Sequence, residues 1–518
     1  MAELSPMMKQ YMEVKQANED AIVFFRLGDF YEMFFRDAEV ASKELEITLT
    51  GRDCGLESRA PMCGVPFHSA DAYIARLIAK GYKVAICEQA EDPKSAKGIV
   101  RREVVRVISP GTLLDTNVLD EKKNNYLCCV YRDEKGAGIG FADITTGEVT
   151  ATWLTGENSL FRLYNEIGRY RPSELLTNSG CEDEAQFAAF LDDRFSLRTG
   201  YLDPACFEET AAMAALERQF HTTDLKAIGL EESHYSLLAC GALFGYLQET
   251  QKVSLDHIRE IRSYTDSSFM ELDLNTFRNL EITETMRDKS KAGSLLSVLD
   301  RTGTAMGARQ LRKWLEQPLI NCVEIRKRLN GVAELHGDSM LRHELMNVLK
   351  NMLDVERLMS KVTYQTANAR DLLSLQNSLR LLPKVKQLLS GCKSGMLAEQ
   401  FQRLDPLEDL CLLLEQAVAD EPPFSVREGG IIRAGYHEDV DQLREILTDT
   451  KGVIAKLEAA EKEKTGIKSL KVGFNKVFGY YIEVSKSYYD QVPETYIRKQ
   501  TLTNCERYIT QELKDMEH

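Results

Sequence analysis

Phe30 and Glu32 stand two residues apart in the stretch Gly28-Asp29-Phe30-Tyr31-Glu32-Met33-Phe34, directly after the apolar run Ile22, Val23, Phe24 and Phe25. An aromatic face beside a hydrogen-bond acceptor suits one task on nucleic acid: the ring wedges into a weak base step while the acid accepts a hydrogen bond from a base. The same residues also read as ordinary structure. Phe30, Phe34, Ala38, Ala41 and Leu45 recur at helical spacing, as a core-facing stripe does. Asp29, with Glu32 three residues on, has the form of a helix N-cap and capping box. The apolar run predicts a short buried strand ended by Gly28, and the spacing predicts a helix over 30–45. Phe30, Tyr31 and Glu32 would then occupy a strand-to-helix corner, which by itself leaves both readings open.

Elsewhere the candidate chemistry is thinner. Asp143 falls on the middle one of three strand-like runs, the position of a first carboxylate in an RNase H-type site. Two-metal hydrolysis needs several converging acids, and a turn-capping role is the plainer alternative. Asn475, Lys476 and Phe478 fall at the tip of a hairpin predicted over 470–485, suited either to touching phosphates or simply to closing the turn. The 12 cysteines form no Cys-x-x-Cys pair and the 8 histidines no His-x-x-x-His. That spacing argues against a zinc site and a disulfide framework, and for a reduced, cytosolic chain. The sequence has no Gly-Lys dipeptide, hence no Gly-x-x-x-x-Gly-Lys-[Ser/Thr] phosphate cradle.

A net charge of −15 argues against nucleic acid taken alone. Two stretches run the other way. Between 76 and 106, eight basic residues (Arg76, Lys80, Lys83, Lys94, Lys97, Arg101, Arg102 and Arg106) face four acidic ones. Between 462 and 499 the count is again eight against four. Two modest basic islands fit a DNA binder that grips at two places, and they fit solvated faces equally well.

The elements that must position these residues imply several domains, since 518 residues exceed one core. No apolar run approaches the roughly 20 residues of a membrane helix, and the N-terminus lacks the basic-then-apolar form of a secretion signal. Residues 1–115 read as a small mixed α/β unit, with a Pro- and Gly-punctuated loop over 61–68. Residues 124–250 begin as a three-strand meander (126–131, 137–145, 148–154) and continue as alternating helices and strands. From 258 to 420 the pattern is helical, with predicted helices over 279–288, 305–316, 322–335, 341–353, 371–382 and 404–417. Pro422-Pro423 breaks that block. Val440, Leu443, Leu447, Ile454 and Leu457 then predict one long, arm-like helix over 438–464.

Several strings resemble the MutS family of DNA mismatch-repair proteins. They are Gly28-Asp29-Phe30-Tyr31-Glu32, Met62-Cys63-Gly64-Val65-Pro66-Phe67-His68, Ala85-Ile86-Cys87-Glu88-Gln89, Trp314-Leu315-Glu316-Gln317-Pro318-Leu319, and Gly473-Phe474-Asn475 leading into Gly479-Tyr480-Tyr481. The resemblance implies a multidomain α/β plus all-α chain. Its parts would be a mismatch-binding domain over 1–115, an RNase H-like α/β connector over 124–250, a long helical lever over 258–420 and a helix-plus-strand clamp arm over 424–498. Residues 499–518 would return into the lever. It also implies that Phe30 stacks on a mispaired base and Glu32 hydrogen-bonds to it, with supporting DNA contacts from Arg52, Met62, Pro66, His68 and Arg102. Asn475, Lys476 and Phe478 would reach DNA from the clamp. The partners implied are duplex DNA with mispaired or unpaired bases, a second copy in a homodimer, and MutL. The family carries ATP and magnesium in a further domain, so this chain, stopping at His518, is expected to hold no cofactor and hydrolyse no ATP. A metal-dependent nuclease built around Asp143 and a pure protein-interaction scaffold are the alternatives.

Overall fold

The computed structural model describes residues 4–56, 58–91, 100–114, 118–181, 183–230, 233–265, 268–448, 450–475, 479–511 and 513–514, the side chains of 446–448, 450, 451 and 453 excepted. It divides into two compact units, Met1–Leu412 and Leu413–His518. Among the described residues no helix is long and apolar enough to cross a membrane.

The first unit opens with helix α1 (Pro6–Gln16) and a hairpin of β1 (Ala21–Leu27) and β2 (Phe30–Phe34). Then come α2 (Phe35–Leu45), β3 (Thr50–Arg52), β4 (Ala60–Pro66), α3 (Ala70–Ala79), β5 (Lys83–Gln89) and β6 (Arg102–Ile108). The strands form one sheet in the order β3-β4-β2-β1-β5-β6, in which only β1 and β5 run parallel. Strand residues alternate between its faces. Phe24, Tyr31, Met33 and Val65 pack under α2 and α3, whereas Val23, Phe25, Phe34 and Ala60 pack under α1.

The expected helix over 30–45 is corrected here: residues 30–34 are strand, and the helix begins at Phe35 after an uncapped Phe34. Ala38, Ala41 and Leu45 form the core stripe of α2, Phe34 is buried on the opposite side of the sheet, and Phe30 stands outside both cores. Asp29 caps no helix. It shares with Gly28 a two-residue hairpin turn, and the positive φ of Gly28 (58°) at the first central position is what a II′ turn requires.

A second sheet follows, of β7 (Leu127–Arg132), β8 (Gly136–Asp143), β9 (Glu148–Thr155), β10 (Glu174–Asn178), β11 (Thr199–Leu202) and β12 (Arg262–Ser263). Its order is β11-β10-β7-β8-β9-β12, an antiparallel meander extended by parallel strands on both sides. Helices α4 (Ser159–Tyr170) and α5 (Glu184–Phe195) cover one face, α6 (Glu209–Phe220) and α7 (His234–Gln251) the other. The glycines of β8 have a physical reason. A Cβ on Gly138 would lie 1.9 Å from the Tyr235 carbonyl oxygen, so the backbone at the start of α7 packs directly on the strand.

Ten helices follow among the described residues: α8 (Leu274–Asn279), α9 (Leu295–Leu299), α10 (Ala305–Glu316), α11 (Cys322–Gly337), α12 (Ser339–Leu349), α13 (Val355–Thr363), α14 (Ala369–Leu379), α15 (Leu382–Leu389), α16 (Gly395–Arg403) and α17 (Glu408–Ala417). The predicted helix over 279–288 is not there. Residues 280–288 form turns, in which Glu281 has a positive φ and its carboxylate accepts from the Met286 N–H.

The second unit contains α18 (Glu438–Thr448), α19 (Thr450–Thr465), β13 (Lys471–Asn475), β14 (Gly479–Ser485), β15 (Ile497–Thr501) and β16 (Cys505–Ile509). Of the helix expected over 438–464, the described residues 438–448 and 450–465 are helical; position 449 and the Leu447 side chain lie outside the described residues. The strands make an antiparallel sheet in the order β13-β14-β16-β15 around Ile467, Leu470, Ile482, Val484, Tyr496 and Tyr508. The expected return of 499–518 into helical structure is therefore corrected over 499–509, which completes this sheet.

Candidate nucleic-acid interface

Along β2, side chains at 30, 32 and 34 share the face under α1, and burial falls steadily toward the hairpin: Phe34 is fully buried, Glu32 half-buried, and Phe30 46% exposed. A large aromatic ring is thus held at the open end of a sheet face whose other end is closed core. Tyr31 and Met33 are buried on the opposite face, which prevents the strand from turning Phe30 inward.

The hairpin is braced from outside. The Arg26 Nε–H donates to the Gly28 carbonyl at 2.5 Å, and its guanidinium lies 3.5 Å from the centre of the Phe67 ring. Tyr31 donates its hydroxyl proton to Glu88. Burial, reinforced by that carboxylate, raises the phenol well above its ordinary pKa. The Phe67 N–H donates to the Asp29 carbonyl at 3.0 Å, and Phe30 pairs with Pro66 across β4. Two stretches thirty residues apart, 28–32 and 62–68, therefore meet. Sequence reasoning gives Arg26, Phe67 and Glu88 no role in the site, although Phe67 and Glu88 stand in strings that carry the resemblance; only strand pairing brings the three together.

The other predicted contacts divide. Pro66 and the exposed His68 flank the Phe30 end. Arg52, on β3, is ion-paired with Glu32. Met62 pairs with Phe34 at the closed end of the face and packs into the α1 core, away from the tip. Arg102 is corrected. It is buried, its Nε–H donates to the Arg26 carbonyl at 2.7 Å, and Nη1 donates to Val100 O and Gln10 Oε1, so it braces the hairpin from within instead of presenting itself to phosphate.

The expected basic island over 76–106 disperses for the same reason. Lys80 pairs with Glu44, Lys83 with Asp20 and Glu174, and Arg101 with Glu103, while Arg106 donates to Gln251 Oε1 and the Thr112 carbonyl. Charge counted along a chain ignores partners supplied by other elements. Lys94 and Lys97 lie outside the described residues, as do Lys476 and Phe478 at the β13–β14 tip. Asn475 closes β13 opposite Gly479, so the hairpin itself is present as expected. In the second island Lys462, Lys464 and Arg498 pair with Glu458, Glu461 and Glu506, and Lys468, Lys486 and Lys499 are exposed.

Asp143 is fully buried. Its Oδ1 accepts from the Thr145 N–H and hydroxyl at 2.9 and 2.7 Å, and Oδ2 accepts from Asn124 Nδ2 and the Asn125 N–H at 2.9 and 3.2 Å. Both oxygens are saturated by protein donors. Among the described residues no three His, Cys, Asp or Glu side chains are grouped to hold a metal. The carboxylate closes the β8–β9 turn, and the nuclease alternative loses its only residue.

Comparison with known proteins decides the family. Residues 5–117 match MutS domain I, 125–259 MutS domain II and 275–515 MutS domain III. This chain belongs to the MutS family. It is 53% identical over 520 residues to the DNA mismatch repair protein MutS of Acetivibrio thermocellus and 53% identical over 517 residues to that of Ruminiclostridium cellulolyticum, in each case across 100% of this chain and 59% of the relative. The protein of the same name from Alkaliphilus oremlandii is 52% identical over 519 residues, with the same coverage. The chain thus spans about three-fifths of the length of these MutS relatives. The exposed Phe30 and its neighbours lie in the domain I match, and Asp143 in domain II.

Proposed function

We propose that this chain recognises mispaired or unpaired bases in duplex DNA, the step that initiates mismatch repair, and that Phe30 and Glu32 carry the recognition. The observation that supports this most is the half-exposed Phe30 ring fixed at the tip of a braced hairpin, with the Glu32 carboxylate next on the same face. Recognition here is a test of deformability. A mismatch weakens local stacking, so kinking the duplex costs less there than at a paired step. The ring enters from the minor-groove side and recovers roughly 1–3 kcal/mol of stacking. Glu32 accepts a hydrogen bond from the unstacked base, and its charge disfavours close approach of phosphates where no base is available to compensate.

In this reading Pro66 and His68 support the wedge, and the β13–β14 hairpin touches backbone phosphate at a second place. The relatives' shared name supports duplex DNA as substrate, and the family resemblance supports a homodimer and a docking partner of the MutL type. With no Gly-x-x-x-x-Gly-Lys-[Ser/Thr] string in its sequence, the chain binds without hydrolysing ATP and holds no cofactor of its own.

Fluorescence anisotropy with homoduplex and single-mismatch DNA tests the proposal. Phe30→Ala is expected to bring the ratio of the two affinities close to one, leaving weak, salt-sensitive binding to both duplexes. An unchanged ratio would overturn the assignment. Incubating labelled DNA with Mg²⁺ is expected to leave it intact.

A further inference from the structure

Glu32 does not face solvent by itself. Its Oε2 takes the Arg52 guanidinium, while Oε1 has no partner among the described residues. We infer that Arg52 is a positioning residue for mismatch selectivity: it holds the Glu32 carboxylate in its reading position and leaves one oxygen for a base. The inference rests on the reading of Phe30 and Glu32 proposed above.

The pairing is built into the sheet. Glu32 pairs with Gly64 on β4, and Arg52 pairs with Ala60 on the far side of the same strand. Positions 60, 62 and 64 share one face, so both side chains lie over that face and meet across β4. The Glu32 side chain crosses beside a glycine. A Cβ at position 64 would stand 3.4 Å from Glu32 Cγ and 3.2 Å from the Tyr31 carbonyl oxygen, tighter than ordinary contact on the backbone side. Gly64 has an ordinary φ, so no turn requires it. The close approach of the Tyr31 carbonyl oxygen favours it.

Two consequences follow for recognition. A glutamate held by an ion pair meets its ordering cost before DNA arrives, so the hydrogen bond it offers to a base is pre-organised. The adjacent guanidinium also occupies Oε2, so that Oε1 is the oxygen left to accept from a base N–H. Arg52 then acts on the difference between mismatched and paired DNA. A guanidinium that merely gripped a phosphate would act on both duplexes alike, and its loss would flatten the salt dependence by about 0.9 in log–log slope.

A double-mutant cycle separates these roles. Glu32→Gln, Arg52→Gln, the double variant and Arg52→Lys are compared with the parent, as full chains, on homoduplex and single-mismatch DNA at several salt concentrations, with thermal melting as a check on folding. Arg52→Gln is expected to cut the mismatch-to-homoduplex ratio by roughly two- to tenfold. In the Glu32→Gln background it is expected to change that ratio no further. Arg52→Lys, which keeps charge without the planar fork, should restore part of the loss. Equal weakening of both duplexes in both backgrounds, with a flatter salt slope, would overturn the inference and make Arg52 a phosphate contact. If Glu32→Gln and Phe30→Ala both leave the ratio unchanged, the mismatch reading fails as well; if they change it and Arg52→Gln is additive, only the positioning role fails.

Discussion

Phe30 and Phe34 point to the same side of one strand four residues apart, yet they serve opposite ends of a trade-off. Phe34 is fully enclosed with Tyr11, its ring centre 5.0 Å from the tyrosine ring edge-on, and the Tyr11 hydroxyl donates to the Asp37 carboxylate at 2.9 Å. Phe34→Ala is therefore expected to cost about 3–5 kcal/mol in urea denaturation, as a large cavity in a two-sided core does. Phe30→Ala should stay within about 1 kcal/mol of the parent, because half of its ring already meets water. The pair makes a control for any binding experiment: a loss of mismatch selectivity in Phe30→Ala at unchanged stability belongs to the ring itself. Other large apolar side chains are exposed as well, so the exposure of Phe30 supports the proposed reading only together with the Glu32 carboxylate beside it on the strand.

At the scale of elements, the β8–β9 turn and the segment 120–124 are held by groups from several helices. Arg309 on α10 donates to Asp354 at 2.6 and 2.8 Å, to Glu356 at 2.6 Å and to the Glu121 carbonyl at 2.8 Å, while Arg357 on α13 donates to the carbonyls of Asp120 and Lys123. Arg309→Ala would leave two carboxylates without their buried partner and is expected to cost about 3–5 kcal/mol by denaturant titration, whereas Arg309→Lys should recover only part of that. His257 reports on the same turn. Its Nε2 lies 2.9 Å from the Ile144 carbonyl, its Nδ1 is buried with no partner, and burial depresses its pKa below the ordinary histidine value. A depressed folded-state value means that the unfolded chain takes up the proton first. Its contribution is therefore complete above about pH 6.5 and is lost as the pH falls below that. Melting temperatures between pH 7.5 and 5.5 should fall less in His257→Gln than in the parent. Much of this level was legible in the sequence. The meander 126–154, the helix 305–316 and the hairpin 470–485 stand within a residue or two of their expected places, since period and turn residues agree there. Helix α7 was invisible because its buried residues run without interruption from Ser236 to Phe244, leaving no amphipathic period to read. The strand 30–34 was misread because a stripe at 30, 34, 38, 41 and 45 satisfies a helical period by coincidence, and only pairing with β1 and β4 breaks the tie. In the site itself, Phe30 and Glu32 could be picked out by type and spacing, but the Arg52 partnership needed the register of three strands.

For the molecule as a whole, the governing fact is an acidic chain in which most described cations of the first basic stretch are paired internally. With a net charge of −15, and with most described residues of the first basic stretch bound to carboxylates or backbone carbonyls, long-range attraction to DNA is weak. If the chain binds DNA as proposed, affinity for paired DNA is expected to rest on a small number of phosphate contacts and to fall with salt along a shallow line, each contact contributing about 0.9 to the slope. In the proposed reading the mismatch increment has another origin. Stacking of Phe30 on a base and a hydrogen bond to Glu32 release no counterions, because neither involves a phosphate. The two affinities should therefore fall in parallel on a log–log plot from about 50 to 200 mM salt, keeping their ratio constant. The ratio is the informative quantity, since it isolates the wedge from everything the rest of the surface contributes. If it collapses as salt rises while binding to paired DNA persists, selectivity is carried by phosphates at the kinked site, and the hairpin that presents Phe30 is a scaffold for cations instead of the reading head.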